Sequence, residues 1–239
     1  MSEHKLTWYG HSTVKLSTSN GKKILVDPFL TGNPACPTEL RNDRDVDVVL
    51  VTHGHGDHFG DTMVLLHDSH AIAMVIFELS IYLTGKGVAQ NKVIGFNIGG
   101  TVEYDGLKIT MTKADHSSAL YESNRSIEVG PPVGYVVQLD DGKNIYFAGD
   151  TDIFSEMQFI GEFFKPVIAV LPIDGYYNMG PRAAARAIQL LGCDQVLPVH
   201  HSTFHVLWGK PSMLKQELEK LGLSNVKVHM INPGGSIMI

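Results

Sequence analysis

Cysteine is scarce in this sequence: 239 residues contain only Cys36 and Cys193. Neither has a cysteine nearby, which argues against a CxxC metal or redox pair, and both read as incidental or buried thiols of a protein from a reducing compartment. Basic charge is also in short supply, with 19 Lys and Arg against 25 Asp and Glu and a formal charge of -6. Broad binding to a phosphate backbone needs a basic face, so nucleic acid is disfavoured as a partner. Long apolar runs are missing as well. The longest candidate, residues 71–83, is interrupted by Glu78 and Ser80, and a membrane span needs ~18 uninterrupted apolar residues. The N-terminal MSEHKLTWYGHS has neither the basic start nor the apolar run of a signal peptide. The expectation is a soluble, cytoplasmic protein with no membrane partner. There is no low-complexity segment and no repeat of ~20 to 50 residues, which excludes a solenoid.

What is present is ordinary globular material. With 44% hydrophobic and 18% charged residues, the chain is expected to fold as one domain over residues 1–239. Short runs rich in Val, Ile, Leu, Tyr, Phe and Thr predict strands at 5–9, 13–17, 23–26, 46–52, 93–96, 101–104, 107–113, 134–139, 144–148, 167–171, 195–199 and 227–230. Helices are predicted at 61–70, 72–83, 155–164, 181–191 and 211–221. The last two are punctuated by Pro181 and Pro211 near their starts and by Gly192 and Gly222 just past their ends. Segments 28–45 and 117–132 lack periodicity, and loops of that length in a compact domain are more often functional than accidental.

The strongest chemical signal is His53-Gly54-His55-Gly56-Asp57-His58, which follows the apolar run 46–52. Spacings of one, two and three residues would scatter these side chains around a helix, whereas a turn with two glycines lets them converge. Imidazole and carboxylate together suit zinc and its first-row neighbours. The same pattern recurs along the chain, an apolar strand running out onto a ligand type. Asp27 follows strand 23–26, Asp115 and His116 follow 107–113, Asp150 follows 144–148, and His200 and His201 follow 195–199. A lone histidine or aspartate at a strand end is usually a turn or cap residue. Four further strand ends of this kind, making five with the first motif, point to one metal-bearing rim of a sheet.

The order HxHxDH, then His116, then Asp150 in Gly-Asp-Thr, then His200 resembles the metallo-β-lactamase superfamily from Asp27 to His200. The segments Trp8 to Ser12, Leu25 to Phe29, Asn178 to Pro181 and Pro198 to Phe204 are similar to the branch of predicted metal-dependent hydrolases related to L-ascorbate-6-phosphate lactonase. The resemblance implies an α/β fold, a four-layer αββα sandwich of two mixed β-sheets flanked by helices, with the metal site at one rim. It implies that His53, His55 and His116 bind one metal, that Asp57, His58 and His200 bind a second, and that Asp150 bridges them. Asp27 would orient the site without ligating. His201 competes with His200 for the last position, and His200 better matches the branch pattern.

The implied cofactor is a pair of divalent ions, zinc before manganese, iron or nickel. Two such ions carry four positive charges and Asp57 and Asp150 cancel two, so the site stays cationic, lowers the pKa of a bridging water to roughly 7 and favours anionic or carbonyl-bearing substrates. The expected activity is hydrolysis of a small, anionic ester, lactone or phosphoester by a metal-bridged hydroxide, with Asp57 and Asp150 as the catalytic carboxylates. The competing expectations are a metal-dependent metabolite sensor without turnover and a nuclease of the same superfamily. A homo-oligomer is compatible with the sequence. Around the ligands, His11, Asp174, His201, Tyr176 and Arg182 are the candidates for support or substrate contact, with Tyr121, Arg125, Tyr177 and His205 behind them. His67 and His70 read as surface residues at a helix end, and nothing in the sequence argues for His4 or His229.

Overall fold

The computed structural model describes residues 4–239 and divides into two compact units, residues 4–100, 117–132 and 231–239 in the first and residues 101–116 and 133–230 in the second. Each unit is built on a seven-stranded mixed sheet with helices, the two-sheet α/β architecture that the resemblance implies. No helix among the described residues is long and apolar enough to cross a membrane.

The sheet of the first unit runs Ser236–Met238, Lys5–Gly10, Thr13–Ser17, Lys23–Val26, Val48–Leu50, Ile72–Ile76, Val93–Phe96. Its first three pairings are antiparallel and its last three parallel. Lys5–Gly10 and Lys23–Val26 are each antiparallel to the strand between them, so they point the same way and finish at the edge where Val48–Leu50 also finishes. His11, Asp27 and the motif beginning at His53 therefore leave the sheet at one rim.

The second unit follows the same logic. Its order is Lys227–Val228, Gln195–Val199, Ile168–Pro172, Asn144–Phe147, Val133–Gln138, Leu107–Lys113, Thr101–Tyr104, with three parallel pairings followed by three antiparallel ones. Leu107–Lys113 and Asn144–Phe147 flank an antiparallel neighbour and so run in the same direction. His116, Asp150, Asp174 and His200 thus share a rim of this sheet, at the carboxyl ends of strands where open α/β sheets place their ligands.

The helix Pro181–Leu191 shows how the sheet is covered. Pro181 occupies its first position and Gly192 ends it at φ 62, as the start and stop signals predict. Pro181, Ala184, Ala185, Ile188 and Leu191 form its buried stripe, and the alanines belong to one core with Val136, Tyr146, Ala169 and Leu171 of the sheet. Most predicted elements stand within a residue or two of their observed bounds, the ordinary latitude of helix and strand ends.

Three differ. The predicted helix 72–83 is a strand, Ile72–Ile76, followed by a helix, Phe77–Gly85. All five strand residues are buried between parallel neighbours, and such a continuous apolar run carries no periodicity that could separate strand from helix. Segment 117–132 is not wholly irregular. It holds the hairpin Leu120–Glu122 and Arg125–Ile127, joined by Ser123 and Asn124 at φ 49 and 61, the two positive φ values of a tight hairpin turn. The short edge strand Ser236–Met238 had no alternating pattern to announce it.

Candidate metal centre

In the first unit the motif is part extended, part helical. His53, Gly54 and His55 lead from the sheet, and Gly56–Phe59 forms one helical turn that carries Asp57 and His58, where the sequence predicts only a turn. The His53 and His58 rings lie with centroids 4.1 Å apart, tilted 46° to each other, and His53 Nε2 lies 2.9 Å from His55 Nδ1. Gly54 is required for close approach: a Cβ there would stand 2.6 Å from Val129 Cγ2 and 2.8 Å from the Ala119 carbonyl carbon. The hairpin segment thus packs against the histidine loop where a side chain would push it off.

Asp27 is 1% exposed and its carboxylate is fully engaged. It accepts the Thr52 N–H at Oδ1 and the Thr52 hydroxyl at Oδ2, both at 2.8 Å. His58 Nδ1 donates to the same Oδ2 at 2.7 Å. This bond fixes the buried His58 ring and leaves its Nε2 on the side of Asp57, 3.9 Å from Oδ2. His11, also buried, places Nε2 2.9 Å from Asp57 Oδ2. The sequence marks His11 as a candidate for support or substrate contact, and the structure brings it onto the motif's aspartate.

In the second unit Asp150 is 3% exposed and receives two histidines on one oxygen. His200 Nε2 lies 3.2 Å and His116 Nε2 3.7 Å from its Oδ2. The other nitrogen of His200, Nδ1, is 3.1 Å from Asp174 Oδ2. Asp174, completely buried, accepts the Tyr176 and Tyr177 N–H groups at 2.8 and 2.7 Å and the Asn178 amide at 2.9 Å. Burial alone would raise this carboxyl, but His200 and the two N–H groups outweigh it and hold the group below the usual carboxylate range. His201 pairs instead with Ser202 Oγ at 3.0 Å. Tyr176 and Tyr177 serve Asp174 through their backbones and leave their rings exposed. Arg182 lies on the helix Pro181–Leu191 and lines a separate cavity.

His11, Asp27 and His200 all hold positive φ, 53, 49 and 55, which is uncommon away from glycine and costs of order 1 kcal/mol or more each. Such strain at the rims is maintained only where the surroundings over-determine it. The paired carboxylates do that here for Asp27 and His200.

The donor chemistry fits a metal. Each of two buried imidazoles has its Nδ1 beside one carboxylate, hydrogen-bonded in His58 and 3.1 Å away in His200, and its Nε2 turned toward a second, the orientation that metal-binding histidines adopt. In the first unit His53 and His55 place ring nitrogens close enough to serve a common ion, as do His11, Asp57 and His58.

Next to His55 the first unit also contains a cavity of about 570 Å³. Tyr82, Tyr121 and the hydroxyl-bearing Ser117 and Ser118 line it, with Glu122 in its wall. Glu122 is held below the usual carboxylate range by Lys86 and Tyr82. Of the loop residues named from sequence, Tyr121 is placed on this cavity, while Arg125 is exposed on the opposing hairpin strand. The cavity was not readable from sequence because its wall is the unpredicted hairpin. His205 is exposed, His229 bonds Gln195 at 2.9 Å, and both cysteines are free and buried.

A model of the β-lactamase superfamily domain matches residues 22–201. The chain is 41% identical over 232 residues to a UPF0173 metal-dependent hydrolase of Methanopyrus kandleri, spanning 97% of this chain and 98% of that one. With a UPF0173 metal-dependent hydrolase of Roseiflexus sp. it shares 37% over 238 residues, 98% and 97% of the two chains. Among solved structures it is similar to Igni18, a metallo hydrolase of Ignicoccus hospitalis, with a TM-score of 0.86, 37% identity and coverage of 99% and 98%.

Proposed function

Given that this chain belongs to the β-lactamase superfamily and, within it, to the UPF0173 metal-dependent hydrolases, we propose that it is a binuclear enzyme. In this reading His53, His55 and His116 hold one ion, Asp57, His58 and His200 the other, and Asp150 bridges them, with residues 1–239 working as one domain. The observation that carries it is the repeated device of a buried carboxylate behind a histidine, Asp27 behind His58 at 2.7 Å and Asp174 behind His200 at 3.1 Å. Carboxylates behind ligating histidines raise their basicity and fix their aim. A merely structural histidine needs one such partner, but not a second carboxylate facing its other nitrogen.

When bound, divalent ions at such a site polarise a substrate oxygen and bring the pKa of water to roughly 7. The chain's own groups do the rest. Asp150 gathers His116 and His200 on one oxygen. Asp57, a third exposed and 2.9 Å from His11 Nε2, is the carboxylate placed to take and pass on a proton. Imidazole and carboxylate donors favour zinc, with manganese, iron and nickel as alternatives.

The substrate class follows from charge. A dinuclear centre with two carboxylates is cationic and attracts an anionic or carbonyl-bearing reacting group. The cavity beside His55 bears an ionised Glu122 and hydroxyl groups, so it suits an uncharged polar remainder. A small ester, lactone or phosphoester with hydroxyl substituents satisfies both, and the resemblance of segments 8–12, 25–29, 178–181 and 198–204 to the ascorbate-6-phosphate lactonase branch makes a sugar-derived lactone the first compound to try. The test is a hydrolysis screen of zinc- and manganese-loaded protein against lactones, aryl esters and phosphodiesters. Turnover abolished by Asp150→Ala supports the proposal. Stoichiometric metal with no turnover in any class overturns it in favour of a sensor.

A further inference from the structure

The second unit contains a cavity of about 690 Å³, within the size range of small-molecule sites, and no candidate metal ligand lines it. Ile153, Ala183 and Leu221 give it an apolar lining, and the Trp208 indole forms one wall. Cations rim it. Arg182 and Arg186 enter from the helix Pro181–Leu191, and Lys220 enters from Pro211–Lys220 beside Glu217. Lys220 pairs with Glu217, whereas among the described residues no carboxylate pairs with either arginine. A chain of formal charge -6 thus keeps two guanidinium groups without a carboxylate partner over an apolar cavity, Arg186 donating to the Gln189 side-chain carbonyl.

Trp208 is 49% exposed yet fixed. Its Nε1–H donates to the Gly175 carbonyl at 2.8 Å. Gly175 sits at φ 73, and a Cβ there would meet the indole at 2.2 Å. Gly180 approaches the same ring, with its virtual Cβ 3.0 Å away. Two residues without side chains let the indole lie flat on the backbone, so its open face is a preformed wall whose side-chain entropy is already lost.

We propose that this cavity binds an amphiphilic organic anion, a molecule with an apolar body of acyl or aryl type and one terminal oxyanion. Burial of the body against Ile153, Ala183, Leu221 and Trp208 supplies the apolar contact. Arg182 and Arg186 lie four residues apart on one helix face and so can share a single oxyanion. Carboxylate and phosphate heads offer the same recognition chemistry, and the probes separate them.

Tryptophan emission tests this, because Trp8 is buried and gives a constant background. Full-length protein is titrated with octanoate, octyl phosphate, octanol and inorganic phosphate, with calorimetry in parallel. The two amphiphilic anions are expected to shift the emission saturably, the tighter one identifying the preferred head, while octanol binds at least about tenfold more weakly and inorganic phosphate does not bind. Trp208→Phe removes the optical signal, and Arg182→Gln with Arg186→Gln weakens calorimetric binding about tenfold or more without altering the circular dichroism spectrum. Octanol binding as tightly as octanoate, no saturable heat or emission change with either anion, or undiminished binding by the folded double variant would each overturn the proposal. So would sedimentation showing that unliganded copies associate through Trp208.

Discussion

The Nδ1 of His58 lies 2.7 Å from Asp27 Oδ2, and Thr52 holds that carboxylate from two sides. In the proposed centre Asp27 would act on a metal through His58. Asp27→Asn keeps the size but places an amide where an acceptor with negative charge stood. Metal affinity should fall by about 10- to 100-fold, measured by competition with a chromogenic chelator. Unchanged affinity in a folded variant would show that the pair is only structural.

Asp174 stands in the same relation to His200, and it also organises residues 176–178 by accepting their N–H groups. Asp174→Asn should cost metal affinity to a similar extent, about 10- to 100-fold. It should also raise hydrogen exchange at the Tyr176 and Tyr177 amides. Asp27→Asn should leave those amides protected, so exchange mass spectrometry distinguishes the two.

Gly54 and Gly56 flank His55 and make opposite predictions. A Cβ at Gly54 collides with Val129 and the Ala119 backbone, while one at Gly56 meets nothing within 4 Å. Gly54→Ala should cost about 1–3 kcal/mol through overpacking and weaken metal binding by displacing His53 and His55. Gly56→Ala, at the first position of a helical turn, should be close to neutral. Urea denaturation of both variants decides it.

Away from the site, Asp43 accepts the Tyr9 hydroxyl and the Lys15 ammonium, both at 2.6 Å. Burial alone would raise this carboxyl, and these bonds outweigh it and leave the group below its ordinary value. A carboxyl depressed on folding contributes stability that is fully present above its unfolded pKa of about 3.9 and is lost as pH falls through the folded value. Asp43→Asn should therefore cost about 1–3 kcal/mol at pH 7, with the gap to wild type narrowing below about pH 4. An equal gap at pH 7 and pH 3 would contradict this.

The strand-end pattern made the rims legible: Asp27, His53, His116, Asp150 and His200 each follow an apolar run, and the sheet order aligns those ends within each unit. What stayed hidden was relational. Nothing in sequence joins Asp174 to His200 or His11 to Asp57, because these pairs form only when separate strands come alongside. Residues 72–76 were misread because a strand buried on both faces carries no alternation, and the hairpin at 120–127 because its turn, Ser123-Asn124, lacks the usual glycine signal.

Metal stoichiometry across a small variant set tests the central claim most directly. Wild-type protein, stripped and reloaded with zinc, should hold two ions per chain by mass spectrometry of the native species and by elemental analysis, while Asp150→Ala should hold at most one and lose turnover. Two ions and undiminished hydrolysis in Asp150→Ala, or a single ion in the wild type at saturating zinc, would contradict a binuclear centre bridged by Asp150.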